Sequence, residues 1–135
     1  MKTERKTMSA KPNLYLVNLE FTCELLGGGQ MTTQFAVNPQ RQTIHGRAHG
    51  EFLEGTEAPL NFSADFDGEY KMTGYGGVTR VGSAEGKALV SVQPPAIGAY
   101  LADFSMDFAV DNDWNGHGSF SINGNTYQCK VTSQG

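Results

Sequence analysis

The densest chemistry in the chain lies in Thr43-Ile44-His45-Gly46-Arg47-Ala48-His49-Gly50-Glu51-Phe52. Two of the three histidines stand there with an arginine and a glutamate, at every second position. Period-two alternation puts His45, Arg47, His49 and Glu51 on one face of a strand. Ile44, Gly46, Ala48, Gly50 and Phe52 take the other. A strand rises ~3.3 Å per residue, so His45 and His49 stand ~13 Å apart. Zinc holds nitrogen ligands at about 2 Å, so this pair alone cannot share one ion. His49 and Glu51 are ~7 Å apart at Cα, near enough for one to orient the other as an acid–base pair. Arg47 suits a carboxylate or a phosphate. The plainer reading is a solvated strand face, with Glu20 or Glu24 as cross-strand partners at little energy. The small residues opposite let rings such as Phe35 or Phe62 pack above them, or leave room for a ligand.

A second candidate is the turn Asp111-Asn112-Asp113-Trp114-Asn115-Gly116. It resembles the opening of a calcium loop, with Asp111, Asp113 and Asn115 as hard oxygen donors. The likeness then stops. Gly118 stands where that loop wants an apolar residue, and Ile122 where its bidentate glutamate belongs. Asp, Asn and Gly are also what hairpin loops prefer. His117 would join Asp111 or Asp113 as a ligand, or simply be exposed. Trp114, the sole tryptophan, either packs under its own hairpin or anchors a binding surface. Tyr75, beside Gly74, Gly76 and Gly77, poses the same choice. Thr73, Tyr75, Pro94 and Pro95 would frame the mouth of a barrel. No serine occupies a nucleophile elbow. Residues 76 to 87 are glycine-rich, but Ala88 follows Lys87 where a phosphate loop needs Ser or Thr. No cofactor is expected.

The elements that must carry these residues alternate with period two throughout. Tyr15, Val17, Leu19, Phe21, Cys23 and Leu25 share one face of a first strand. Gly27, Gly28 and Gly29 end it. Met31, Thr33, Phe35 and Val37 mark a second, closed by Asn38-Pro39, and the histidine ladder is the third. Leu60, Phe62, Ala64 and Phe66 follow, with Asp67-Gly68 as a hairpin signal. Residues 69 to 81 hold Tyr70, Met72 and Val78 on one parity, interrupted by glycines that suggest a bulge or sharp bend. Ala88, Val90 and Val92 give a short strand ended by Gln93-Pro94-Pro95. Tyr100, Ala102, Phe104, Met106, Phe108 and Val110 give a long one. A last hairpin turns at Asn123-Gly124. That makes eight or nine antiparallel strands with no helix: a single β-barrel, favoured by the tight hairpins, or a two-sheet sandwich.

A chain of 135 residues makes one domain with a real core. Residues 1 to 12 carry Lys2, Arg5, Lys6 and Lys11 against Glu4, a flexible basic arm on an otherwise acidic body, residues 13 to 135. Met8 is an alternative start. MKTERKTMSAKPN has no apolar signal core, which favours the cytoplasm. The net charge of −4 does not favour nucleic acid, and no apolar run is long enough for a membrane span. Cys23 and Cys129 match no zinc spacing. They fall on inward parities of the first and last strands, which barrel closure would make neighbours. A disulfide and two packed thiols are both open, and a reducing compartment favours thiols.

Three stretches resemble a family of uncharacterised bacterial proteins, number eighteen forty-two in the domain-of-unknown-function series. They are TQFAVNP at 33 to 39, HGEF at 49 to 52, and the long apolar strand running into Asp113-Trp114 with Gly116 beyond. The resemblance spans about residues 13 to 131. The charged arm and the middle segment depart from it. It implies a small all-β domain and no activity, cofactor or site residue.

The expectation is a small β-barrel binding or protein-interaction module of unknown ligand, with no obvious catalytic machinery. Arg47, His49, Tyr75 and Trp114 are its candidate ligand contacts, around a pocket at one end. A small-molecule ligand or a further copy of the chain is the expected partner, with neither nucleic acid nor membrane. One rival is self-assembly into an oligomer or filament through strand edges and the arm. Another is a barrel-mouth lyase, isomerase or hydrolase using His49 and Glu51.

Overall fold

A computed structural model describes residues 14–23, 29–52, 60–75, 77–91 and 98–134. The basic arm lies outside them, as do Glu24, Leu25, Val92, Pro94 and Pro95. The described residues form eight strands: β1 (Tyr15–Cys23), β2 (Gln30–Asn38), β3 (Thr43–Phe52), β4 (Leu60–Tyr75), β5 (Val78–Ser91), β6 (Ala99–Val110), β7 (Gly116–Ile122) and β8 (Asn125–Ser133). Each pairs antiparallel with the next, and β8 pairs back to β1, closing a barrel. Closure decides between barrel and sandwich. It also pairs the edges of β1 and β8 with each other from Leu19↔Ser133 to Cys23↔Cys129.

The alternating pattern sorts residues as expected. Leu19, Phe21, Met31, Phe35, Val37, Phe66, Val90, Phe108, Phe120 and Ile122 point inward and are almost wholly buried. The rings meet in the interior: Phe35 and Phe66 at 6.0 Å between centroids, Phe62 and Phe120 at 5.7 Å, Phe66 and Phe104 at 6.2 Å. Such edge and tilted contacts suit the aromatic quadrupole. Large and small residues alternate around the wall. Phe35 faces Gly46, which faces Phe66, which faces Gly86, which faces Phe104. The adjacent layer is Thr33, Ala48, Ala64, Ala88 and Ala102, all buried. The small inner face of β3 therefore makes room for rings of the neighbouring strands.

Two sequence signals read differently in the structure. Asp67-Gly68 is no turn, because β4 runs straight through it. Gly68 is there because the wall bends so tightly that a Cβ would overlap the Ser83 carbonyl oxygen and the Ala84 backbone. The hairpin lies further on, where the register shifts between Met72 and Tyr75 and β5 begins at Val78. Residues 78 to 87, within the glycine-rich stretch, then form most of a long strand that runs on to Ser91. Asn123-Gly124 does turn as its residues require, with φ of 54° and 87°, the two left-handed positions of a tight hairpin.

Candidate functional site

The ladder residues His45, Arg47, His49 and Glu51 all stand on the outer wall of β3 and are exposed. Each faces a residue of β4: His45 Asp67, Arg47 Asp65, His49 Ser63 and Glu51 Asn61. His45 Nδ1 is joined to Asp67 Oδ1, and Arg47 Nε donates to Asp65 Oδ1 at 3.1 Å. The row continues across the barrel, Asp65 facing Lys87 and Lys87 facing Asp103, to which it is ion-paired. Lys87 holds the Asp103 carboxyl below its ordinary pKa, first by hydrogen bonding and then by its charge. Arg47, Asp65, Lys87 and Asp103 thus form a belt of alternating sign. Exposed pairs of this kind contribute little stability each. The acids that match the ladder come from β4, not from β1. Glu20 instead accepts from Gln30 Nε2 at 2.6 Å and Gln134 Nε2 at 3.2 Å.

His49 and Glu51 line a shallow outer groove with Gln30, Thr32, Asn61 and the wall at Gly50 and Phe62. Arg47 borders other hollows, one with Leu89 and Leu101 and one with Leu16 and His45. Tyr75 is the last residue of β4, opposite Val78. Thr73 is at that same end of the barrel, whereas β5 ends and β6 begins at the opposite end. Pro94 and Pro95, which the sequence placed with them at a mouth, lie outside the described residues. Arg47 and His49 stand on the outer wall and Trp114 is buried, so these three do not converge.

Trp114 points into the barrel. It is only 7 % exposed and meets Phe35, Phe108 and Tyr70 at 5.8, 5.8 and 6.2 Å. The Arg80 guanidinium lies 4.6 Å above its ring and donates to the carbonyls of Asp111 at 3.1 Å and Asn112 at 3.2 Å. Residues 111 to 115 therefore cork one end of the barrel. Trp114 has φ of 68°, a left-handed conformation costly for a side chain of this size, and its burial offsets that cost. Burial raises the pKa of Tyr70 beside it, helped by Tyr15 and opposed by the Arg80 charge.

The oxygens of the acidic turn serve its own backbone. Asp111 Oδ1 accepts from the amides of Asp113 at 2.8 Å and Asn115 at 3.1 Å. Asn115 Oδ1 accepts from the amide of Ser133 at 2.8 Å, tying the loop to β8. Asp113 is exposed. Among the described residues, no three His, Cys, Asp or Glu side chains gather in a way that could hold a metal ion.

One hollow lined by several polar groups was marked by no motif. It is an open groove of about 690 Å³ on the outer wall across β4 to β8. Glu69, Lys71, Ser83, Asp107, His117 and Gln128 line it, with Gly82, Phe108 and Gly118 beneath. Ser119, buried beside it, donates to Asp107 Oδ1 at 3.0 Å and fixes that carboxylate. Each of these polar residues sits at an outward position of its own strand. Only closure and register bring them together, so the one signal available from sequence was the parity of each residue taken singly.

The family described as Domain of unknown function (DUF1842) matches residues 13–127. The chain belongs to that family. No curated protein matches the chain. The domain covers β1 to β7 and the start of β8, so the barrel is the family's domain and the acidic cork falls within it.

Proposed function

We propose that this barrel is a non-catalytic binding module that meets its partner on its outer wall. The observation that carries the reading is a division of labour. The interior is packed with buried aromatic and aliphatic side chains, and the corked end is closed by Trp114, while the groove of Glu69, Lys71, Ser83, Asp107, His117 and Gln128 opens outward. That groove offers both signs of charge, a histidine and neutral hydrogen-bonding groups, which suits a polar ligand or a peptide carrying both charges. The wall's ion pairs suit a partner met in water, since a lipid-facing barrel would need its apolar residues outside. His49 and Glu51 stand exposed on the solvated outer face, His49 between Thr32 and Ser63 of the neighbouring strands, and that exposure favours binding over turnover.

The test is chemical-shift mapping of the intact chain with a set of small polar fragments. Shifts are expected at the amides of Lys71, Gly82, His117 and Gly118, and Ser83→Trp, which fills the groove, should remove them with the fold intact. Shifts confined to inward residues would overturn the reading.

One observation favours self-assembly as a second reading. Leu89 and Leu101 face each other across β5 and β6 and are 47 % and 71 % exposed. A two-fold axis parallel to these strands lays Leu89 on Leu101 of a second copy and Lys87 on its Asp103. Such a surface is self-complementary, as an isologous dimer requires. Sedimentation of wild type against Leu101→Asp tests it. A concentration-dependent dimer lost in the variant supports the reading, and a monomer at all concentrations rejects it.

A further inference from the structure

Barrel closure sets Cys23, the last residue of β1, directly opposite Cys129 of β8. The Cys23 amide donates to the Gly29 carbonyl at 3.2 Å, so its backbone polar groups are turned toward β2. In antiparallel ladders, opposed residues either exchange both backbone bonds or neither. Cys23 and Cys129 are therefore a non-hydrogen-bonded pair, the narrow kind with Cα atoms about 4.5 Å apart and side chains closest. Both side chains leave the sheet on its inner face. A disulfide wants Cα separations of about 4.4–6.8 Å and Cβ separations of about 3.5–4.5 Å, so the pair is within reach with small adjustment. Both residues are thiols in this structure. Cys23 is half-buried and Cys129 is 4 % exposed, so an oxidant from solvent meets Cys23 first. The Cys129 thiol donates weakly to the Tyr127 carbonyl at 3.5 Å, a contact that rotation about one bond releases.

Among the described residues, the seam these cysteines join is the shortest, with five register pairs against seven in each of the next shortest. It is also the contact that joins the first strand to the last, so it carries the greatest loop-closure cost.

We propose that Cys23 and Cys129 are a modification site, oxidised by a peroxide to a disulfide that clasps the β1–β8 seam. The Cys23 thiolate attacks one oxygen of the peroxide. An S–O bond forms, the O–O bond breaks, and the leaving oxygen takes a proton to become water or an alcohol. The Cys129 thiolate then attacks the sulfur of the resulting sulfenic acid. The S–S bond forms, the S–O bond breaks, and hydroxide leaves as water on protonation. The two thiols together lose two electrons and two protons, and the peroxide receives both.

The experiment treats the full chain with hydrogen peroxide and reads intact mass under non-reducing conditions, the number of titratable thiols, and the melting temperature. The expected result is a monomer lighter by two hydrogens, both thiols lost together, and a melting temperature higher by roughly 10 °C. A thiol reductant should reverse all three. Cys23→Ser, at the less buried of the two positions, should keep its fold and show neither the mass loss nor the rise. A covalent dimer, added oxygens without the two-hydrogen loss, two thiols still titrating in the folded protein, or a rise that persists in Cys23→Ser would each overturn the proposal.

Discussion

Replacing Trp114 with alanine tests whether the acidic turn is a cork or a binding loop. The ring is 7 % exposed and packs against Phe35, Phe108 and Tyr70. Truncating a buried tryptophan to alanine costs about 3–5 kcal/mol. Losing the Arg80 guanidinium over the ring adds ~1 kcal/mol. The sum of about 4–6 kcal/mol is a large part of the 5–15 kcal/mol that roughly bounds a domain of this kind. The variant should therefore fold but unfold at much lower urea, with little change in the denaturant slope. Glycine at 114 makes a sharp companion. With φ at 68°, a β-carbon is strained and glycine is not, a relief of about 1–2 kcal/mol. Trp114→Gly should then be at least as stable as Trp114→Ala, the reverse of the usual order. Urea unfolding must be followed by far-UV circular dichroism, because the substitution removes the only tryptophan. A loss below about 1 kcal/mol, well under the cost of a buried tryptophan, would refute the cork. The ring would then be available to a ligand.

Gly86→Ala should cost about 2–3 kcal/mol or more, because the new Cβ would overlap the Asp65 carbonyl oxygen and press on Phe66 Cα at 3.1 Å; thermal melts against Ser83→Ala, an exposed neighbour, measure it. A double-mutant cycle on Arg47 and Asp65 should return less than ~1 kcal/mol, shrinking in high salt, since both side chains are three-quarters exposed. Burial raises the Tyr70 pKa above its ordinary 10.0, so the folded state favours the protonated phenol. The resulting stabilisation is complete below the unfolded value and is lost as pH rises through the folded one. Tyr70→Phe should lack that loss, and melting temperatures of the two proteins from neutral to strongly alkaline pH will show whether their difference changes in that direction.

Most of the fold could be read from alternation, because burial in a barrel depends on parity and parity is local. The inward faces of β1, β2, β6 and the final hairpin follow from it directly. What misled was glycine. Inside long strands it serves close approach rather than turns, of a neighbouring backbone at Gly68 and Gly86 and of the Phe108 ring at Gly82. Single-strand reading cannot tell the two uses apart, so β4 was broken too early and β5 started too late. The ladder was correctly separable into two faces, but its acid partners depend on register and came from β4. Trp114 could not be placed from its neighbours, because a hairpin loop that folds into a barrel has the same composition as one that stands in solvent. The groove on β4 to β8 was invisible for the same reason as the partners. Its residues are distant in sequence and meet only through closure.

As proposed above, binding falls to the outer wall, and the barrel beneath it is a scaffold packed with buried apolar side chains. Native mass spectrometry of the purified full-length chain, beside Ser83→Trp, tests it most directly. The account predicts the mass of the polypeptide or a simple multiple of it. Any small molecule carried along should be lost in Ser83→Trp. A tightly held small molecule that survives in Ser83→Trp and is released only on unfolding would contradict the account, because it would have to sit where the aromatic core leaves no room.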